Sequence, residues 1–329
     1  MASCFLYRRR EFITLLGGAA AWPLVARAQE PGRRYRVGFL YPTPRGAPHH
    51  VALFDELRRA GFVESQNLQL DWQGFGLRME QFAEHAAELA KSPVDVIVCA
   101  GDVGTRAAQQ ATATIPILAV TDDMVGQGLV TSLAKPGGNT TGVSILATEL
   151  DGKRQEILIE ALPGLQRMAA LVDSNTTPVR QLEALAAAAR ARGVELLLHR
   201  VTKPEQIVPA IDAAKTSNAA AVNVLASPLL FVNSSLIIER VAALRLPAVY
   251  QWPEMAEQGG LIGYGPRIVQ IYREMIARQL IKLLRGTRPV DLPVEQPTKF
   301  ELVINIHTAK TLGLTVPPGV IAIADEVIE

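Results

Sequence analysis

From about residue 35 onward, short apolar, β-branched runs alternate with longer stretches of helical spacing. That alternation is the pattern of successive βα units and parallel sheets. Residues 35–41 predict a first strand. Val51, Phe54 and Leu57 then set an apolar stripe on a helix that ends near Gly61, a good residue for the position after a helix. Residues 67–72 alternate as a strand, 82–89 are spaced as a helix, and 94–99 form an uninterrupted apolar run suited to a buried strand. A helix over 103–112 and a strand over 116–120 complete a four-strand half.

A second series follows the Pro-Gly-Gly turn at 136–138, beginning with a short strand at 142–145. Helices are predicted over 150–161, 178–192, 204–214, 229–244 and 266–284. Strands are predicted over 168–172, 195–199, 220–225, 247–250, 261–264 and 300–306. Pro289, Pro293 and Pro297 exclude a helix from 286–298. Two consecutive βα series without an intervening helical domain imply two similar lobes, although no repeat is visible residue by residue.

The start of the chain has a different composition. Arg8, Arg9 and Arg10 precede Glu11-Phe12-Ile13, an apolar stretch to about Trp22, and Ala26-Arg27-Ala28. A basic segment, a short apolar segment and an A-x-A site describe a secretory signal cleaved after about Ala28. The apolar stretch is too short to span a bilayer, which takes roughly 20 residues. The arginine pair resembles the twin-arginine export motif; an ordinary Sec signal is the alternative. Cleavage removes four arginines and one glutamate from 33 basic and 32 acidic residues. The remaining charge is near −2, which gives no reason to expect nucleic acid or an anionic membrane as partner. Only Cys99 remains after cleavage, inside the apolar run 94–100, where a buried structural thiol is expected.

Several chemistries are missing. There is no G-x-G-x-x-G after the first strand, no Walker A sequence, no C-x-x-C and no H-E-x-x-H. Gly142-Val143-Ser144-Ile145-Leu146 lacks the second glycine of a nucleophile elbow. Adjacent His49 and His50 at a helix start read as solvated rather than as metal ligands, and neither a metal nor a cofactor is expected. The candidates that remain are strand carboxyl ends, where open parallel sheets bind ligands. They are Tyr41 and Thr43; Gly101, Asp102 and Val103; Thr121 and Asp122; Ser174 and Asn175; Ser227; and Tyr250 with Trp252. Gly101 permits a tight turn, and amides from Val103 to Thr105 would hold a carboxylate. The alternative is a simple strand-to-helix turn with Asp102 as its N-cap. Tyr41, Tyr250 and Trp252 would line an aromatic cleft or belong to the core.

Three longer stretches carry a family resemblance. They are Arg9-Arg10-Glu11-Phe12-Ile13-Thr14-Leu15-Leu16-Gly17-Gly18, then Leu133-Ala134-Lys135-Pro136-Gly137-Gly138-Asn139-Thr140-Thr141-Gly142, and 291–299 (DLPVEQPTK) leading into Phe300-Glu301-Leu302-Val303-Ile304-Asn305. The chain resembles the ABC-transporter substrate-binding family that includes tryptophan- and other aromatic-amino-acid-binding proteins. The resemblance implies an α/β, type 1 periplasmic-binding fold: two doubly wound parallel-sheet lobes joined by hinge crossings, with a solute held between them. The first lobe would comprise 33–147 with about 252–290, and the second 148–251 with about 299–329. The turn at 101–105 would supply backbone donors, Asp122 matches an aspartate of the family's Thr-Asp-Pro turn, and Ser174 and Asn175 would face them. The sequence departs from the family at Asp123, where proline is usual, at Ser227-Pro228-Leu229-Leu230-Phe231, and at Trp252-Pro253-Glu254. The expected function is a periplasmic, monomeric, non-enzymatic binder that delivers a small organic solute to an ABC permease. A periplasmic sensor subunit, a related DNA-binding regulator and an enzyme on the same scaffold are its rivals.

Overall fold

A computed structural model describes residues 32–329; the export segment expected at 1–28 lies outside the described residues. The first sheet contains β1 (Tyr35–Leu40), β2 (Leu68–Leu70), β3 (Val96–Ala100), β4 (Ile117–Thr121) and β5 (Thr140–Ser144). Their spatial order is β2-β1-β3-β4-β5, and every pairing is parallel. The strand near 142 therefore closes the first sheet as a fifth strand instead of opening the second series. In β3, Val96 to Cys99 are all buried, because helices cover both faces of a parallel sheet and leave no polar side for alternation.

The second sheet contains β6 (Arg167–Asp173), β7 (Glu195–Val201), β8 (Val222–Val224), β9 (Ala248–Tyr250), β10 (Ile262–Gly265), β11 (Glu301–Asn305) and β12 (Glu326–Ile328). Its order is β12-β11-β10-β9-β8-β6-β7, parallel except where β10 meets β11. The segment from 252 to 265 was expected in the first lobe. It belongs with the second, because β10 pairs with β9 on one side and β11 on the other. The helix expected over 229–244 is two helices, Pro228–Val232 and Ser234–Ala243, divided at Asn233. The pieces Pro253–Glu257, Ile306–Leu312 and Pro318–Ala322, and β12, lie where no element was expected. They are too short for a clear periodic signal.

The chain passes between the sheets three times. It leaves β5 through 145–150 and returns after β10 near 266. It then runs through helix Ile268–Gln270, a π-helical turn Ile271–Ile276 and helix Ala277–Leu284. These helices pack on helix Pro48–Arg59 of the first lobe. Glu295 still bridges Val143 of β5 before the third passage leads into β11 at 301.

A fully buried arginine ties two of these passages together. Arg154 lies on the helix Asp151–Ala161. It donates from Nη1 to the Ala147 carbonyl at 2.8 Å, from Nε to the Tyr264 carbonyl at 2.7 Å, and from Nη2 to the Gln251 carbonyl at 3.2 Å. Its counter-charge is Asp151, 2.7 Å away, which also accepts from the Gln181 amide and the Ala226 backbone N–H. Burial pushes the Asp151 carboxyl up, to about 6, against the pull of Arg154. The pair is tolerable because its polar atoms are met on all sides.

Candidate functional site

Each sheet reverses its winding once, between β1 and β3 in the first and between β6 and β8 in the second. At such a switch, successive loops leave in opposite directions and open a crevice beyond the strand ends. The two crevices face each other and enclose a cavity of about 120 Å³. That is close to the ~150 Å³ of an apolar cavity that accepts benzene.

The first lobe contributes Tyr41 and Thr43 after β1, Gly101 and Asp102 after β3, and Thr121 and Asp122 at the end of β4. The second contributes Thr176 after β6, Ser227 and Phe231 after β8, and Gln251 and Trp252 after β9. Tyr272, from the π-helical turn, completes the wall. The wider turn redirects side chains relative to an α-helix, and such turns recur at functional sites.

Four of the expected residues do not line this cavity with their side chains. Val103 points outward and is 40% exposed. Tyr250 is fully buried in the core beneath β9. Ser174 and Asn175 are exposed. The Ser174 N–H donates to the Val201 carbonyl, and the Asn175 amide donates to the Thr202 carbonyl, so this turn leans toward the neighbouring strand edge. Buried Asp173 fixes it by accepting from the Asn175 N–H at 3.0 Å and the Thr176 hydroxyl at 3.3 Å. Thr176 reaches the cavity in their place.

Part of the cavity lining is polar. Gly101 has φ +74°, a backbone region open to glycine at little cost. It turns the chain from β3 directly into the helix Gly101–Ala111, whose N-cap is Ala100. Asp102 is therefore a first-turn residue and not the cap, and no side chain caps this helix start. Gly104 and Thr105 lie deep enough in the helix to have their amides bonded within it. The free donors are consequently the amides of Gly101 to Val103, two residues earlier than expected. Beside them, the Asp122 carboxylate accepts from the Thr148 N–H at 3.1 Å and from the Thr148 hydroxyl. A carboxylate has about four lone-pair sites, which leaves room for a cationic ligand group.

Another part of the lining is aromatic. His49 lies 4.6 Å from Tyr272 and 6.1 Å from Phe231 between ring centroids, and Phe231 lies 5.8 Å from Trp252. Gly263 gives Trp252 its place, since a Cβ there would fall 2.4 Å from the Trp252 carbonyl oxygen. Behind this wall, Tyr41 packs against His50 at 4.6 Å, and His50 against Phe75 at 5.0 Å.

The two histidines expected in solvent are both buried. Burial, with a smaller push from His50, lowers His49 to about 3. Burial lowers His50 to about 4, against the Pro44 carbonyl that it bonds. Both rings are neutral at physiological pH. Burial likewise raises the Tyr41 and Tyr272 hydroxyls far above their ordinary range, so neither ionises. Cys99 is buried as expected, and its thiol is pushed up to about 12.

Sequence reasoning missed His49, Thr148, Thr176 and Tyr272 as lining residues. Phe231 and Gln251 belong to segments that were expected at the cleft, after Ser227 and between Tyr250 and Trp252. Tyr272 lies in a helix whose return to the first lobe only the fold reveals.

Comparison with known proteins gives a consistent result. A family model described as ABC transporter substrate binding protein matches residues 50–328. A tyrosine-binding protein of Clostridioides difficile (strain R20291) is 26% identical over 264 residues, covering 78% of this chain and 74% of that protein. Among solved structures, a conserved domain protein from Vibrio cholerae O1 biovar El Tor has a TM-score of 0.78 at 25% identity, covering 90% of this chain and 99% of its own. An ABC domain in complex with L-Trp from Streptococcus pneumoniae also has a TM-score of 0.78, at 23% identity, with 90% and 100% coverage.

Proposed function

Since the chain belongs to the ABC transporter substrate-binding protein family, we propose that it captures an aromatic amino acid in the periplasm and delivers it to an ABC permease of the inner membrane. The cavity is the observation that carries this reading: its lining combines a carboxylate and free helix amides with several rings. The solute's carboxylate meets the helix start after Gly101, its ammonium meets Asp122, and its ring lies among His49, Phe231, Trp252 and Tyr272. The names of the tyrosine-binding relative and of the L-Trp complex support the same class of solute. No bond of the solute is made or broken.

Capture follows the usual two-lobe course. Solute binds one lobe, the crossings bend, and the closed form docks on the permease. The arginine-rich start and the A-x-A site at 26–28 support export with cleavage near Ala28, and the protein acts as a monomer. A thermal-shift screen of the twenty amino acids tests the reading, because a ligand that binds only the folded state raises Tm. Tryptophan, tyrosine or phenylalanine should give the largest rise. A response confined to sugars or aliphatic acids would overturn it.

A further inference from the structure

The buried pair at the start of helix Pro48–Arg59 has a definite proton arrangement. His50 Nδ1 lies 3.0 Å from the Pro44 carbonyl oxygen, which can only accept, so Nδ1 carries the ring's proton. A neutral imidazole has one N–H, which leaves His50 Nε2 as an acceptor. The Thr43 hydroxyl, 3.4 Å from that nitrogen, must donate to it. Its single proton is then committed, and its oxygen can only accept from His49 Nε2, 3.3 Å away. His49 is thereby held as the Nε2–H tautomer, and its Nδ1 keeps an unprotonated lone pair. Burial keeps both rings neutral, so no second proton disturbs the chain.

We infer that His49 is the residue through which the cavity selects its solute: its fixed acceptor nitrogen, set in the aromatic wall between Tyr272 and Phe231, favours rings that carry an N–H or O–H over bare hydrocarbon rings. This rests on the aromatic-amino-acid reading above. Indole and phenol each bring one donor to such an acceptor, whereas a phenyl ring would leave the nitrogen buried without a partner. An unmet buried acceptor weakens binding by about tenfold. Thr43 is the positioning residue. Without its hydroxyl, nothing dictates which nitrogen of His49 holds the proton.

Calorimetric titration of the mature protein with L-tryptophan, L-tyrosine and L-phenylalanine tests the inference. Tryptophan or tyrosine should bind at least about tenfold more tightly than phenylalanine. In Thr43→Val and in His49→Phe that ratio should fall toward one, a change that general loosening of the pocket does not produce. Thermal melts of both variants establish that they fold. Independently of any solute, ¹⁵N spectra of histidine-labelled protein should show His49 as the Nε2–H tautomer in the wild type and a mixture in Thr43→Val. Phenylalanine binding as tightly as both other amino acids, a ratio unchanged in both variants, or an Nδ1–H tautomer at His49 would each overturn the inference while leaving the aromatic-amino-acid reading intact. Binding of none of the three amino acids would overturn both.

Discussion

Two helix starts meet across the cleft, and they are built in opposite ways. The helix Pro228–Val232 of the second lobe closes its own first turn: Pro228 has no N–H to satisfy, and the Ser227 hydroxyl accepts from the Leu230 N–H at 3.0 Å. The helix Gly101–Ala111 of the first lobe has no side-chain cap and begins on a glycine at φ +74°. A Cβ on Gly101 would lie 3.8 Å from Pro228 Cγ, so the two starts are near neighbours. On the proposed reading, the capped start supplies shape and the uncapped one supplies charge recognition. Solute should therefore bind first to the first lobe and recruit the second by contact.

The harshest way to break this asymmetry is Gly101→Val. A β-branched residue at φ +74° is strained, and its side chain would cover the free amides. Affinity for an aromatic amino acid should fall by more than about a hundredfold, the equivalent of losing charge-assisted hydrogen bonds. Titration of a folded variant checks it, and affinity within threefold of wild type would move the carboxylate site elsewhere. Asp122→Asn keeps shape and removes the charge proposed to meet the solute's ammonium. A loss of roughly 10- to 100-fold is expected. N-acetylated amino acids, which lack the ammonium, should be insensitive to the change.

The histidine pair sharpens the comparison from the side of stability. Both rings are neutral when folded, with values near 3 and 4, whereas the unfolded chain takes up protons below about 6.5. The unfolded state thus binds more protons on the acid side, and stability falls as pH drops through 6.5 and on toward 4. Between pH 6.5 and 5.5 the pair should cost about 2 kcal/mol. His85, bonded to Asp71, is shifted upward instead. The difference between wild type and His49→Phe in melts at pH 7.5, 6.5 and 5.5 isolates the His49 half of that cost, about 1 kcal/mol, and parallel curves would refute the assignment. Ser227→Ala should give the smallest effect. Losing this cap should lower stability by about 1 kcal/mol and leave affinity within about twofold. A large affinity loss would mean that the second lobe also reads the solute's polar groups.

The sequence made most of the fold legible, because buried strands such as 94–99 and amphipathic helices such as 48–59 carry strong periodic signals. It was less informative where pairing decides membership. Nothing local in Ile262–Gly265 says which sheet it joins, and only its partners β9 and β11 do. The site followed the same division. Residues directly after strands, Tyr41, Gly101, Asp122 and Ser227, were found from the rule about carboxyl ends. Ser174 and Asn175 obeyed that rule and still missed the cavity, because the buried Asp173 carboxylate turns their backbone outward. His49 and His50 looked like solvent-facing neighbours on a helix. Both are buried because the start of that helix lies under the returning π-helical turn that carries Tyr272.

The burial of Cys99 also has a practical consequence. It is the sole cysteine among the described residues, it is fully enclosed, and its thiol stays protonated at any working pH. Thiol reagents act through the thiolate and need access, so the native sulfur will be silent toward maleimides. A cysteine introduced at Val103 of the first lobe or Val232 of the second, both exposed, would be the reactive one among the described residues. A polarity-sensitive dye at either position would convert solute capture into a fluorescence change, making the protein a scaffold for an optical sensor of its solute.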